Sequence, residues 1–407
     1  MSIVLRPGTA TPPLAGHPWI FSGAIAHLVP GPATEVVPGI RCGLFDQHAR
    51  YLGVGYYNAQ SQIAVRMVAT AVDALEPDKL PDLNKLAVQR LHEAAELRGL
   101  LGLPSALTTA YRLLNSDGDL LPGITVDRLG PGAVLQVSTA GGWLLREKLV
   151  QALRAQPFGC EWVLVRVPQD IHPSESLQGG LTETYGDVPT SLTVLHNGLR
   201  LQVEPYAGQK TGMYCDQREN HKFVAALALG RFVLDAFCHT GGFGLHAARA
   251  GASRVLCVDA SQRAVDQTIQ NATENALTVQ AQCGDAVLAL RHWAGQPPAE
   301  RPSLVVIDPP KYATKTAALE PALKKYQALN AVALQAVRTG GWLVTCSCSG
   351  LVEPEAFLRM IGQAANEAGV SVQLCALRGA AADHPTAPAH AEGRYLKVAV
   401  LRVLAKA

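Results

Sequence analysis

The chain has 407 residues, of which 48% are hydrophobic and 17% charged, and its formal net charge is +2. This length predicts two or three globular domains, and the near-neutral balance means that a nucleic-acid partner would need a local basic face. Nine cysteines at scattered spacings, without a C-x-x-C pair, favour reduced thiols over a zinc site. Neither a membrane-spanning apolar run nor a secretory signal is recognisable, so we expect a soluble cytoplasmic protein with no membrane partner and no metal.

Residues 1–72 predict a small all-β domain that is mildly basic. Short apolar alternations separated by proline and glycine turns indicate strands at 3–5, 39–45, 51–57 and 63–68. The segment HPWIFSGAI (17–25) resembles the opening of PUA domains, which are RNA-binding β-barrels. A generic small barrel that packs its aromatic residues inside is the alternative. The arginines of this segment would suit phosphate contacts.

Residues 73–190 predict a central α+β domain behind a polar linker at 73–82. Apolar residues at helical spacing indicate a helix at 83–101, and 111–127 indicates a hairpin with Asp117-Gly118 at its turn. A helix at 143–153 and strands at 134–138 and 162–167 complete the block. Turn and strand-edge roles are favoured over catalytic ones for its aspartates.

Residues 191–407 predict a doubly wound α/β domain. A hairpin at 193–204 precedes the segment GQKTGMYCDQRENHKF (208–223), and a helix is expected to begin near Asp216. From residue 231 onward, strands and helices alternate in the manner of a parallel sheet covered on both faces. Strands are expected at 232–234, 254–258, 279–282, 304–307, 341–345 and 396–401. Helices are expected at 245–250, 262–275, 285–293, 323–336 and 353–368.

The stretch 231–261 organises this last domain. It reads as a strand ending at Asp235, a turn with Gly241 and Gly242, a helix, and a second strand ending at Asp259. Glycine lets the backbone approach a ligand, and an acid at the tip of the second strand can hold a ribose. No G-x-G-x-x-G dinucleotide fingerprint is present. The stretch therefore predicts a nucleoside-binding crevice, with the turn of another doubly wound domain as the alternative.

Two further motifs follow strands of the same sheet. LVVIDPPKY (304–312) ends a strand at Asp308 and continues into a stiff, donor-poor turn. WLVTCSCSG (342–350) ends a strand and then presents Cys346 and Cys348 beside the same crevice. A thiolate that attacks carbon 6 of a pyrimidine makes carbon 5 nucleophilic, and it needs local positive charge, for which Lys311 is one candidate. Two buried structural cysteines are the alternative, and a metal pair is disfavoured.

Nearly the whole chain resembles bacterial large-subunit (23S) ribosomal RNA 5-methylcytosine methyltransferases of the RlmI type. The resemblance rests on HPWIFSGAI, LLPGITVD, KTGMYCDQREN, DAFCHTGGFG, VDAS, DPPKY, CSCSG and ADHP…EGRYLK. It implies an N-terminal PUA barrel, a small central α+β domain and a C-terminal Rossmann-like class I methyltransferase domain that uses S-adenosylmethionine (SAM).

The resemblance also implies roles for individual residues. Cys348 would be the nucleophile, and Asp308 would bind the cytosine edge and help to bind the cofactor. The other residues implied in cofactor binding are Lys210, Asp235, Phe237, Thr240, Gly241, Gly242, Asp259, Ala260, Asp285 and Ala286. Further residues of the base pocket would be Pro309, Pro310, Lys311, Cys346, Asp383, His384 and Arg394.

Three alternative functions stay open at this point. They are 5-methyluridine formation, methylation of a base amino group, and a non-catalytic factor that binds RNA during ribosome assembly. The expected partner is 23S ribosomal RNA or a large-subunit assembly intermediate, and a homodimer would suit the family.

Overall fold

The computed structural model describes residues 1–31, 35–73, 82–206, 213–313 and 315–406. The chain forms two compact units. The first comprises Met1–Leu195, Val203–Cys215 and Ala382–Gly393, and the second comprises His196–Gln202, Asp216–Ala381 and Arg394–Ala407. The division of the first unit at residue 72 stays a prediction, as does the boundary at residue 190.

The N-terminal part of the first unit is a six-stranded, mainly antiparallel sheet with the order β2-β6-β5-β4-β1-β3. Alternating side chains such as Ile3, Leu5, Leu44 and Val65 fill its core. All four predicted strands are confirmed, and β2 and β3 are additional strands that the sequence analysis did not predict. The elements are β1 (Ser2–Leu5), α1 (Thr11–Leu14), β2 (Trp19–Phe21), β3 (Ile25–Val29), β4 (Ile40–Phe45), β5 (Tyr51–Tyr57) and β6 (Ile63–Thr70).

The rest of the first unit is a five-stranded sheet, with the order β11-β10-β9-β8-β7, and two helices. Side chains of Asp82 and Thr139 cap the two helices by accepting hydrogen bonds from backbone N–H groups. The predicted hairpin forms, but its connection contains a 3₁₀ turn at Ser116–Asp119 and is longer than a two-residue turn. The elements are α2 (Leu83–Leu100), β7 (Ala110–Asn115), β8 (Ile124–Leu129), β9 (Gly132–Val137), α3 (Ala140–Arg154), β10 (Val163–Arg166) and β11 (Thr182–Tyr185).

Strands β12 (Leu192–His196) and β13 (Leu199–Val203) form the hairpin predicted at 193–204. Asn197 and Gly198 both have positive φ, of 49° and 81°. That is the geometry of the two-residue turn for which Asn-Gly is preferred.

The second unit is built on a seven-stranded sheet with the order β16-β15-β14-β17-β18-β20-β19. The first five strands are parallel, β20 runs antiparallel to them, and the edge strand β19 pairs antiparallel with β20. The strands are β14 (Phe232–Ala236), β15 (Arg254–Asp259), β16 (Gln280–Cys283), β17 (Leu304–Ile307), β18 (Trp342–Ser347), β19 (Val370–Arg378) and β20 (Lys397–Lys406). The predicted strands are confirmed. The edge strand β19 is additional, because its mostly exposed residues lack a clear apolar face.

Helices pack against this sheet. Apolar side chains of the sheet form one large cluster with α7, α8 and α9 and a second cluster with α4 and α5. The helices are α4 (Arg218–Ala225), α5 (Gly242–Arg249), α6 (Gln262–Glu274), α7 (Ala286–Ala294), α8 (Leu319–Ala336) and α9 (Pro354–Glu367). The doubly wound prediction is therefore confirmed. Among the described residues, no helix is both long enough and apolar enough to span a membrane.

Candidate active site

The parallel strands of the second unit end at one edge of the sheet. When the register of β15, β14, β17 and β18 is continued by one residue, Phe237, Asp259, Asp308 and Cys346 form one row. Cys348 lies two positions farther along, just beyond the end of β18. The strand order changes direction between β14 and β17, and in open α/β sheets ligands bind at such a switch point.

Asp235 lies inside β14 and is fully buried. Its Oδ2 accepts a hydrogen bond from the Gly244 N–H at 2.8 Å, while its Oδ1 has no partner among the described residues. Burial raises the pKa of this carboxyl to about 7, and the negative charges of Asp308 and Asp259 act in the same direction. Asp235, Asp259 and Asp308 therefore lie close enough together to influence one another's charge.

The turn between β14 and α5 has a constrained backbone. The non-glycine residues Phe237 and His239 have positive φ, of 63° and 50°, and Gly241 has φ of 84°. A Cβ added at Gly242 would lie 2.6 Å from the His221 ring. The glycines are therefore required for close packing inside the protein, a reason additional to the ligand access expected from the sequence.

The Asp259 carboxylate fixes this turn from the neighbouring strand. Its Oδ2 accepts from the His239 N–H at 2.8 Å and its Oδ1 from the Ser261 N–H at 2.9 Å. Each oxygen keeps acceptor capacity, and the side chain is partly exposed. Ala260 next to it is exposed, and the Thr240 carbonyl accepts from Asn271 of α6.

Asp285 and Ala286 begin α7. Asp285 is exposed and caps the helix, because its Oδ1 accepts from the N–H groups of Val287 and Leu288 at 2.7 and 3.0 Å. Ala286 is buried beneath it. This position lies after β16, at the same edge of the sheet as Asp259.

Asp308 is held by a residue that the sequence did not single out. Gln217 Nε2 donates to Asp308 Oδ2 at 3.0 Å, and Gln217 Oε1 accepts from Asn220 Nδ2 at 2.8 Å. Both amides are buried, so this chain of hydrogen bonds fixes the carboxylate. Gln217 belongs to the motif KTGMYCDQREN, but no pattern within that motif pairs it with Asp308.

The two cysteines of the C-S-C motif differ in environment. Cys346 lies inside β18, is fully buried and packs in an apolar cluster. Burial raises its pKa well above the usual value, and the charge of Asp308 adds to this effect. Cys348 is partly exposed beyond the strand end. The expectation that the strand ends before both cysteines is wrong for Cys346, which favours packing as its role.

A buried lysine lies beside Cys348. Lys397 begins β20 directly opposite Ser347, and its side chain is almost wholly buried. Its Nζ donates to the carbonyl oxygens of Ser349 at 2.6 Å and Tyr395 at 2.8 Å. Sequence analysis missed this residue. The available signal was a lysine at the start of a mainly apolar strand, KVAVLRVL.

The remaining predicted residues fall in several places. Pro309 is buried, whereas Pro310, Lys311 and Arg394 are exposed on the second unit. Lys210 lies outside the described residues.

Asp383 and His384 belong to the first unit and are buried there. Asp383 Oδ2 accepts from the Arg112 N–H at 2.9 Å, and Asp383 Oδ1 lies 2.9 Å from His384 Nδ1. Their part in a base pocket stays a prediction.

The first unit contains a cavity of about 380 Å³ in its six-stranded part. The side chains of His17, Trp19 and Phe21 line it, all from the segment HPWIFSGAI. Trp19 is fixed by its indole N–H, which donates to Asp117 Oδ1 at 2.6 Å. Phe21 is 49% exposed, so an aromatic surface is open to solvent.

Comparisons with known proteins agree with both units. Residues 3–70 match a PUA-like domain family, and residues 173–393 match the S-adenosylmethionine-dependent methyltransferase family. A ribosomal RNA large subunit methyltransferase I from Aeromonas hydrophila is 35% identical over 98% of this chain and 99% of its own length. The protein of the same name from Tolumonas auensis is 35% identical over 96% of both chains.

Solved structures show the same fold. A candidate SAM-dependent methyltransferase from Streptococcus mutans superimposes with a TM-score of 0.81 at 20% identity, covering 99% of this chain and all of the other. A second candidate methyltransferase, solved with S-adenosylhomocysteine (SAH), reaches 0.83 at 20% identity with the same coverage. The predicted fold class, a PUA-like domain followed by a class I methyltransferase domain, is confirmed.

Proposed function

This chain belongs to the ribosomal RNA large subunit methyltransferase I family, and we propose that it methylates carbon 5 of a cytosine in 23S ribosomal RNA through a covalent bond to Cys348. The family establishes a SAM-dependent ribosomal RNA methyltransferase. The base, the ring position and the nucleophile are the proposed part.

The observation that carries the proposal is the position of Cys348. It is a partly exposed thiol just beyond β18, two residues past the row that contains Asp308. Most cysteines in a protein core are inert packing residues, as Cys346 is by its burial. A thiol at the ligand-binding edge of the sheet, beside a fixed carboxylate, is suited to attack a base.

The chemistry proceeds in three steps at the pyrimidine ring. The Cys348 thiolate forms a bond to carbon 6, and the electron pair of the 5,6 double bond makes carbon 5 nucleophilic. Carbon 5 would then form a bond to the methyl carbon of SAM, whose bond to the sulfonium sulfur would break and leave S-adenosylhomocysteine. A base in the crevice removes the proton from carbon 5, the bond between Sγ and carbon 6 breaks, and the thiolate is restored. Asp308, held by Gln217, would orient the N3 and N4 edge of the cytosine.

The residues at the sheet edge suit a SAM molecule. The unpartnered Asp235 Oδ1 can accept from an ammonium group, and Asp259 retains acceptor capacity for ribose hydroxyls. Asp285, which caps α7 through Oδ1, has a second oxygen for an adenine amino group. The turn from Phe237 to Gly242 would lie along the cofactor. The role of Lys210 in cofactor binding stays a prediction, since this residue lies outside the described residues.

The first unit supplies a surface for RNA. Trp19 and Phe21 line an open cavity, and aromatic rings of this kind stack on unpaired bases. We therefore infer that the PUA-like domain binds ribosomal RNA, either free or in a large-subunit assembly intermediate, and we expect the enzyme in the cytoplasm, where ribosomes are assembled. A homodimer, the other expected partner, is tested by measuring the mass of the chain in solution.

The test is methyl transfer from labelled SAM to 23S ribosomal RNA, followed by nucleoside mass spectrometry. Wild-type protein should form 5-methylcytidine, and Cys348→Ala should lose activity by about 10⁴-fold or more, because the adduct cannot form. Cys375→Ala is the matched control, since Cys375 is an exposed cysteine on the edge strand β19. It should retain wild-type activity.

Other outcomes point to the alternatives. Full activity of Cys348→Ala would remove the covalent mechanism and favour methylation of an amino group. 5-Methyluridine as the product would change the base. Absence of transfer by wild-type protein to free RNA and to large-subunit intermediates would favour an assembly factor.

A further inference from the structure

The approach of β20 to β18 places a lysine next to the predicted nucleophile. Lys397 pairs with Ser347 across the two antiparallel strands, and Cys348 directly follows Ser347 in the sequence. The side chain of Lys397 is buried, with only 2% of the residue exposed. Lysine is rarely buried without a partner, so its position calls for an explanation.

The hydrogen bonds of Lys397 hold the ammonium group without neutralising it. Its two acceptors among the described residues are the carbonyl oxygens of Ser349 and Tyr395. No carboxylate of the described chain lies within ion-pair distance of it. An ammonium group has three N–H donors, so one remains for an anion. Because one carbonyl belongs to Ser349, the ammonium is held against the loop that carries Cys348.

The charges around Lys397 agree with this geometry. Burial lowers the pKa of Lys397 to about 8, a negative charge on Cys348 raises it, and the positive charge of Lys311 lowers it. The interaction between two charges is reciprocal, so an ammonium stabilised by a thiolate stabilises that thiolate equally. Lys311 is exposed, so solvent screens its charge more strongly.

We propose that Lys397 is the residue that keeps Cys348 in its thiolate form, and this inference rests on the proposed role of Cys348 as nucleophile. Lys397 is a positioning residue, since it acts through the sulfur and does not itself react. The thiolate is needed twice, first to attack carbon 6 and later as the leaving group. A fixed positive charge stabilises the anion at both stages.

The experiment measures the reactivity of Cys348 directly, without RNA. The full chain is treated with iodoacetamide over a series of pH values, and alkylation of each cysteine is followed by peptide mass spectrometry. The exposed Cys375 serves as a reference inside the same molecule. In wild-type protein, the alkylation midpoint of Cys348 should lie at least one pH unit below that of Cys375. A midpoint equal to or above that of Cys375 overturns the inference without any variant.

Three substitutions assign the effect. Lys397→Met should raise the Cys348 midpoint by about one unit or more, and Lys397→Arg should retain most of the wild-type value because the charge is kept. Lys406→Met is the matched control. Lys406 lies at the other end of β20, and burial likewise lowers its pKa to about 8, but it donates to Gln335 and is not near Cys348. It should leave the midpoint unchanged.

The methylation rate separates this inference from the proposed function. Lys397→Met should lower kcat about 10- to 100-fold at neutral pH, and activity should recover as the pH rises towards 9. If Cys348→Ala is inactive but Lys397→Met leaves the alkylation midpoint unchanged, the role of Lys397 is wrong and the function stands. If Cys348→Ala keeps full activity, the proposed function fails whatever the alkylation shows.

Discussion

Two polar regions of the molecule differ in whether their buried charges are paired with opposite charges. In the first unit, the buried Arg98 donates two hydrogen bonds to the Asp119 carboxylate at 2.8 Å each and others to the carbonyls of Arg112 and Asp383. The side chain of Arg112 in turn pairs with Asp127 at 2.7 Å. Charges in this network are matched by opposite charges and carbonyl groups. The network therefore ties chain segments together.

At the sheet edge of the second unit, buried charged groups lack such matching. Asp235 has an oxygen without a partner, and Lys397 has only carbonyl acceptors among the described residues. Their pKa values move towards neutrality for this reason, to about 7 and about 8. Buried groups that lack a counter-charge and lie at a ligand-binding edge indicate chemistry, whereas paired groups indicate structure. By the same rule, Asp383 and His384 are more consistent with structure.

The substitution with the largest expected effect is Arg98→Met, which tests whether the paired charges of the first unit are structural. Removal of one partner from a buried ion pair leaves the other charge uncompensated, and such substitutions cost about 3–5 kcal/mol. Arg98 is fully buried, so we expect a loss of free energy of unfolding in that range, measured by denaturant titration. Lys85→Met on the exposed face of α2 is the control and should change stability by less than about 0.5 kcal/mol. A small loss for Arg98→Met would mean that the pairing in the first unit is not structural.

The second test concerns Asp235, whose charge should be unfavourable in the folded chain. The folded carboxyl keeps its proton up to about pH 7, whereas the unfolded one loses it near 3.8. The raised pKa of Asp235 therefore contributes stability that is fully present below about pH 4 and is lost as the pH rises through 7. The shift of about 3 units corresponds to about 4 kcal/mol. Asp235→Asn has no carboxyl and does not lose this stability. The free energy of unfolding of the variant minus that of wild type should thus increase by about this amount between pH 4 and 8.

Asp266→Asn, on the exposed face of α6, is the control for that measurement and should show no such growth. If Asp235→Asn is equally destabilised at all pH values, the carboxyl is a structural acceptor for Gly244 and not a strained group. Asp235 would then belong with the paired residues of the first unit.

The sequence predicted those parts of the site that depend on local pattern. Asp235, Asp259, Asp308 and Cys348 each lie at or after the end of an apolar run, and parallel strands bring such ends to one edge. The alternation of apolar strands with helices, together with the glycines of the turn, was sufficient to identify this arrangement. The exact strand ends were less predictable, since β18 includes Cys346 and β14 includes Asp235.

The parts of the site that depend on distant pairing were not predictable. Lys397 follows Cys348 by 49 positions, and the antiparallel register of β20 with β18 places it opposite Ser347, the residue before Cys348. Gln217 precedes Asp308 by 91 positions. Neither residue is marked by local periodicity, because its role follows from which strands become neighbours. That Asp235 Oδ1 has no partner among the described residues is likewise a property of the packed structure.

The smallest test uses a third buried group, the histidine cluster behind the glycine turn. The rings of His196, His221 and His246 lie 5.1–5.4 Å apart, and burial lowers the pKa of each. Because burial disfavours the charged form, the cluster is a set of neutral imidazoles at neutral pH. It differs from the sheet edge in that its buried groups are uncharged at neutral pH.

His246→Asn should remove part of the acid sensitivity of the chain. The pKa of His246 is about 4 when folded and 6.5 as a reference, so the unfolded state takes up the proton first as the pH falls from 6.5 to 4. This shift of about 2.5 units costs about 3 kcal/mol at the acidic end and nothing above pH 7. Asparagine can keep the hydrogen bond that His246 Nδ1 makes to the Gly242 carbonyl. The variant should therefore lose less stability on acidification, while the exposed His27→Asn should follow the wild-type curve. A variant curve parallel to wild type would show that His246 takes up its proton at the same pH in the folded and unfolded chain, and the neutral-cluster explanation would be wrong.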